Sequence, residues 1–163
     1  MPTLWKRRPP TSTPAKATFS YRDDPAVPRF LDDKPIIIFD GRCALCSGFV
    51  QFVLKRDLLG QFRFIPAQSD LGAALYKHFE LNPIEFQTNI LLEQGCAWFR
   101  SEGSIRMFEK LGTPWSLMAI GRLLPLRCRD ILYEYIARNR LRWFGKRTQC
   151  FLPSREFEAR FLS

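Results

Sequence analysis

Pro35-Ile36-Ile37-Ile38-Phe39-Asp40-Gly41-Arg42-Cys43-Ala44-Leu45-Cys46 joins a buried-strand pattern to a helix start, and this junction decides the fold. The β-branched run 36–39, bounded by Pro35 and by Asp40-Gly41, predicts a strand buried on both faces. Leu45, Phe49, Phe52, Val53 and Arg56 follow at helical spacing, which predicts a helix from about Cys43 to Leu59, stopped by Gly60. Residues 62–65 read as a second strand ended by Pro66. Ser69-Asp70 is placed to cap a helix carrying Leu71, Ala74, Leu75 and Phe79 on one face. Residues 88–93 and 96–100 are strand-like on either side of Gln94-Gly95, a hairpin signal. Ser101 can cap a helix with Ile105, Phe108 and Leu111 inside, ended by Gly112 and Pro114. Helical segments from Trp115 and over 127–143 complete the chain. The expected architecture is α/β: a β-α-β-α-β-β-α core over about 34–114, with a C-terminal helical extension over about 115–163.

Cys43 and Cys46 carry the chemistry. A C-x-x-C where a strand turns into a helix, inside a βαβ pattern, reads as a redox pair. The thiolate is the nucleophile in disulfide exchange, and a free cysteine at pKa ~8.5 is mostly protonated at neutral pH. A helix N-terminus offers unpaired N–H groups and partial positive charge, which favour the thiolate. Cys43 sits at that end, and Arg42 can add a charge beside it. Cys46 follows one turn deeper on the same face, placed to attack a mixed disulfide formed at Cys43. Asp40 has two readings: a carboxylate that takes the Cys46 proton during resolution, or an organiser of the turn before the helix. Gly41 is expected to supply backbone freedom in that turn.

Three other readings of the pair stay open. Structural zinc needs four ligands, usually with a second close pair; Cys96, Cys128 and Cys150 are isolated and far apart, and His78 falls within an apolar helical pattern. The two cysteines can be inert core residues. The Ile-Ile-Ile-Phe-Asp40 run also resembles the nucleophile strand of haloacid-dehalogenase-type phosphatases, but Arg42 stands where their second carboxylate belongs.

The chain has 163 residues, 46% hydrophobic and 25% charged, a globular balance of about one domain's length. No run approaches the ~18 apolar residues of a membrane span. An odd count of five cysteines argues against a closed disulfide framework. The net charge of +9 is uneven. Residues 35–120 balance eight Lys/Arg with eight Asp/Glu, whereas 121–163 hold ten against four. Residues 1–33 are Pro-rich and basic and read as a disordered tail before a single domain at 34–163. Lys6-Arg7-Arg8 is followed by no apolar core of a secretory signal, so a reducing cytoplasm is the expected compartment.

Residues 37–46 resemble the D-x-x-C-x-x-C signature of the DCC family of thiol-disulfide oxidoreductases. The likeness continues through Phe64-Ile65-Pro66-Ala67-Gln68-Ser69, through 101–111, and into Arg138-Asn139-Arg140, Trp143-Phe144-Gly145-Lys146-Arg147 and Cys150. It spans about 35–162. The resemblance implies a thioredoxin-like fold, the role pair Cys43 and Cys46, and Asp40 as the third signature residue. Two departures from ordinary thioredoxins stand out. The stretch Gln87-Thr88-Asn89 lacks the cis-proline that helps hold a substrate chain, and Ala44-Leu45 between the cysteines lacks the familiar Pro or His.

The function expected is dithiol-disulfide exchange on a protein or small-molecule thiol or disulfide substrate, with Cys43 attacking, Cys46 resolving and Asp40 assisting. No bound cofactor and no metal is expected. The alternative is a non-enzymatic or redox-sensing interaction module that uses the basic C-terminal surface. Segment 138–147, five cations interleaved with Trp143 and Phe144, suits either docking of the C-terminal tail or nucleic acid; no nucleic-acid motif surrounds it, and none is expected as partner. Cys150 is read either as a third thiol near the site or as a packed cysteine. Cys96 and Cys128 are read as structural, and His78 as a non-catalytic helix-face residue.

Overall fold

Strand β1 (Ile36–Phe39) has no solvent-exposed residue. The computed structural model describes residues 16–82, 86 and 88–162. Side chains alternate across a strand, so Ile36 and Ile38 enter one apolar cluster while Ile37 and Phe39 enter another. The sheet order is β2-β1-β3-β4. Strand β2 (Arg63–Pro66) runs parallel to β1, and helix α1 (Ala44–Arg56) forms the crossover between them. Strands β3 (Ile90–Glu93) and β4 (Cys96–Phe99) are antiparallel, with β3 against β1. Gln94 and Gly95 both take positive φ, 49° and 77°, the backbone of a two-residue hairpin turn.

Helix α2 (Asp70–His78) packs Leu71, Leu75 and Tyr76 on the Ile36/Ile38 side. Its cap is the expected one: Ser69 Oγ accepts from the Gly72 amide at 3.1 Å. Helix α1 and helix α3 (Arg100–Lys110) cover the other side with Val50, Val53, Leu54 and Met107. Beyond a 3-10 segment at Trp115–Leu123 lies helix α4 (Leu126–Trp143). The β-α-β-α-β-β-α core with its helical extension is a thioredoxin-like α/β fold.

Several local expectations shift. Helix α1 ends at Arg56 rather than near Leu59, because the Asp57 carboxylate accepts from the Gln61 and Phe62 amides at 2.9 Å each and turns the chain into β2. Leu58 and Leu59 consequently project into solvent. Helix α3 begins at Arg100, and Ser101 is not its cap: the Ser101 hydroxyl donates to Asp130 Oδ1 at 2.5 Å. Residues 1–15 of the expected tail lie outside the described residues. Residues 16–33 pack against the fold. Tyr21 is buried in the α2-side core and stacks on Phe30. His78 Nδ1 donates to Asp24 Oδ2 at 2.6 Å and its Nε2 hydrogen-bonds Ser20 Oγ at 3.0 Å, which ties this segment to the end of α2. Prolines preclude a long helix there, but they do not prevent an extended chain from burying its aromatics.

Tyr21→Ala empties a buried aromatic site, so it is expected to destabilise the protein by about 3–5 kcal/mol, the range for large aromatic truncations. Urea unfolding of the variant checks this; an unchanged midpoint would mean that residues 16–33 are dispensable for folding.

Candidate active site

Asp40 follows the last residue of β1, and the chain then turns so that Cys43 becomes the N-cap of α1. Cys43 Sγ accepts from the Cys46 amide at 3.4 Å, one of the orphan donors of the first helical turn. Both thiols are free, and both are buried: Cys43 shows 0% and Cys46 4% of its surface.

A hydrogen bond from the Cys46 thiol draws the Cys43 pKa down to about 6, against desolvation, with further help from the Cys46 amide and the positive charge of Arg140. The same thiol–thiol bond, together with burial, pushes Cys46 well above its ordinary value. The two shifts run in opposite directions, the asymmetry that a nucleophile and a resolving thiol require.

The cation at the pair is Arg140, 94 residues beyond Cys46 on the last turns of α4. Its side chain donates from Nη1 to Cys46 Sγ at 3.6 Å, from Nη2 to Asp40 Oδ2 at 3.3 Å, and to the Phe86 carbonyl. It is 4% exposed. Arg42, expected to charge the site, is instead exposed, and the main charge acting on Cys43 is that of Arg140. Asp40 Oδ1 accepts from the Arg42 amide at 3.0 Å and from Gln68 Nε2 at 2.7 Å. The carboxylate therefore organises the turn with one oxygen and faces Arg140 with the other.

Gly41 differs from its expected part. Its φ is not positive. What it supplies is space, since a Cβ there would stand 2.6 Å from Cys150 Sγ and 3.2 Å from Gln68 Oε1. Cys150 belongs to a strap over 145–151 that lies along the Gly41–Ala44 loop. The Ala44 amide donates to the Gly145 carbonyl (3.4 Å), Arg147 to Arg42 (2.7 Å) and Phe151 to Gly41 (2.9 Å), and Cys43 bridges antiparallel to Lys146. Phe151 anchors the strap edge-on against Phe39. Cys150 is thus near the loop that carries the pair, with its Sγ 3.8 Å from Gln68 Oε1.

Phe86 meets the site through its carbonyl, which accepts from Arg140; Gln87 lies outside the described residues. Thr88, in the stretch where ordinary thioredoxins carry their cis-proline, is buried, and its Oγ1 hydrogen-bonds the Arg100 amide (3.1 Å) and Tyr133 Oη (3.2 Å). Cys96 and Cys128 are distant from the pair in their surroundings: Cys96 contacts Thr18, and Cys128 is exposed on α4 rather than packed. Among the described residues no three His, Cys, Asp or Glu side chains gather where they could hold a metal ion. Sequence reasoning missed Arg140 and Gln68 as parts of this constellation. Both stand inside segments that carry the family likeness, the only signal that singled them out.

Comparison with known proteins places these residues in a family context. A family model described as DCC1-like thiol-disulfide oxidoreductase matches residues 37–146, which contain the Asp40, Cys43, Cys46 and Arg140 constellation. The chain is 39% identical over 127 residues to "Uncharacterized protein YuxK" of Bacillus subtilis (strain 168), covering 78% of this chain and 93% of that protein. It is 34% identical over 122 residues to "DCC family protein At1g52590, chloroplastic" of Arabidopsis thaliana, covering 74% of this chain and 71% of that protein. No solved structure matches the chain.

The rate of Cys43 alkylation by iodoacetamide is expected to rise with pH through a midpoint near 6, read by peptide mass. Arg140→Ala should move that midpoint upward, because it removes a positive charge that favours the thiolate. A midpoint at the free-cysteine value of ~8.5 in both proteins would contradict the assigned electrostatics.

Proposed function

The chain belongs to the DCC1-like thiol-disulfide oxidoreductase family, and from that premise we propose that it performs dithiol-disulfide exchange through Cys43 and Cys46. The observation that carries the reading is the split of the pair into a lowered Cys43 and a raised Cys46 at a helix N-terminus. In the reductive direction the Cys43 thiolate attacks one sulfur of a substrate disulfide. The other substrate sulfur leaves as a thiolate, and a Cys43 mixed disulfide forms. Cys46 then loses its proton, which Asp40 takes up, and the Cys46 thiolate attacks Cys43 Sγ. The second substrate sulfur departs as a thiolate and the Cys43–Cys46 disulfide closes. Two electrons pass from the pair to the substrate, and the oxidative direction is the reverse.

Arg140 serves both steps, its charge favouring the attacking Cys43 thiolate in the first. Its guanidinium offsets negative charge on Cys46 as that thiol ionises, and its bond to Asp40 holds the carboxylate beside the pair. The strap at 145–151 sets the access condition. Cys43 has no exposed surface, so a protein disulfide reaches it only when the strap parts from the Gly41–Ala44 loop. No cofactor enters this chemistry; the electrons come from thiols alone.

The same burial favours a second reading, a redox-sensing interaction module in which the pair closes only under oxidation and turns nothing over. Thiol substitution separates the two. With a disulfide substrate, Cys43→Ser is expected to abolish turnover. Cys46→Ser should accumulate a mixed disulfide at Cys43, visible by mass and reversed by dithiothreitol. Asp40→Asn should slow resolution by about a hundredfold or more, in the range for a lost proton acceptor. Full turnover by the Cys43→Ser protein would overturn the exchange mechanism.

A further inference from the structure

Helix α4 is seated in reverse. Its buried residues are Asp130 and Arg140, and it meets α3 through polar contacts: a hydrogen bond from Ser101 to Asp130 at 2.5 Å and ion pairs of Arg100 with Glu134 at 2.8 Å and Arg129 with Glu102 at 3.3 Å. The outward face is apolar. Ile131 is 67% exposed, Leu132 57%, Tyr135 58% and Trp143 49%, at the i, i+1, i+4 and i+12 spacing that sets them on one side of a helix. Tyr135 and Trp143 meet edge-on outside the fold, with ring centroids 5.5 Å apart. The preceding segment adds Leu123 at 84%. Clustered exposed apolar side chains of this kind mark interaction sites.

The charges around the face say what covers it. Residues 117–147 hold eight Lys/Arg and two Asp/Glu. Both acids, Asp130 and Glu134, are engaged toward Arg100. The outer face therefore presents aliphatic and aromatic side chains among cations such as Arg127 and Arg142. A second copy of the chain would bring this positive charge against itself. Nucleic acid would accept the cations, and Tyr135 and Trp143 offer rings, but the exposed aliphatic side chains Leu123, Ile131 and Leu132 have no π-face on which bases stack. The 18-residue helix α4 is about 27 Å long, and its exposed apolar side chains Ile131, Leu132, Tyr135 and Trp143 span most of that length. Aliphatic side chains on one face, arginines flanking them and aromatics at one end are what a helix needs to lie in the headgroup region of an anionic bilayer. Among the described residues no helix is long and apolar enough to cross a membrane. We propose that the outer face of α4, with the adjoining 3-10 segment, docks this protein peripherally on an anionic lipid surface.

Flotation of the full chain with vesicles tests this. The protein is expected to float with phosphatidylcholine–phosphatidylglycerol vesicles, to stay behind with phosphatidylcholine alone, and to be released by raised salt. The Ile131→Ser/Leu132→Ser double variant and the Arg127→Glu/Arg142→Glu double variant should each lower partitioning at least tenfold, with melting temperature and Cys43 alkylation kept as checks of folding. Absence of flotation on anionic vesicles would overturn the proposal, with light scattering then showing whether a second copy covers the face. Flotation that the Ile131/Leu132 variant leaves unchanged would also overturn it, since binding would then be charge alone.

Discussion

A guanidinium withdrawn from water must be paired, because desolvating an ion costs several kcal/mol and an unpaired one leaves that cost standing. Arg140 meets this demand with Asp40, the Cys46 sulfur and the Phe86 carbonyl. Much of the site's geometry follows from that pairing. It fixes the end of α4 beneath the N-terminus of α1, and so directs residues 145–151 across the Gly41–Ala44 loop. It favours negative charge on a pair that burial alone would keep protonated. It also leaves Asp40 with one oxygen for the turn and one for the cation.

The legible parts of the fold are those encoded locally. A β-branched run between Pro35 and Asp40-Gly41, the Ser69 cap and the Gln94-Gly95 turn each state their structure within a few residues. The cysteine pair was legible for the same reason, since a helix start beside C-x-x-C needs no distant partner to be recognised. What escaped the sequence depends on contacts between distant segments. Nothing adjacent to Arg140 distinguishes it from Arg138 or Arg142, yet it alone of the three is buried. Gly41 looked like a turn glycine because its crowding comes from Cys150, 109 positions away. Ser101 looked like a cap because its actual acceptor, Asp130, lies on another helix.

The site and the exposed face share a cause. A helix that turns Asp130 and Arg140 inward leaves Ile131, Leu132, Tyr135 and Trp143 on the outside. The usual segregation of polar and apolar faces is thus partly inverted, and Arg140, which contacts the cysteine pair, helps set the side on which the proposed lipid-docking face lies. Because Arg140 and Trp143 belong to the same end of one helix, the thiol pair lies close to the aromatic end of that face.

The central claim is that Cys43 and Cys46 form a working redox couple, and an equilibrium redox titration tests it most directly. Metal-free protein is poised in dithiol buffers, quenched by alkylation and read by peptide mass. The account predicts a reversible Cys43–Cys46 disulfide at a potential between about −120 and −270 mV, the span of thiol oxidoreductases from strong oxidants to thioredoxin. A pair that never closes at any potential, while Cys96, Cys128 or Cys150 oxidise instead, would contradict it.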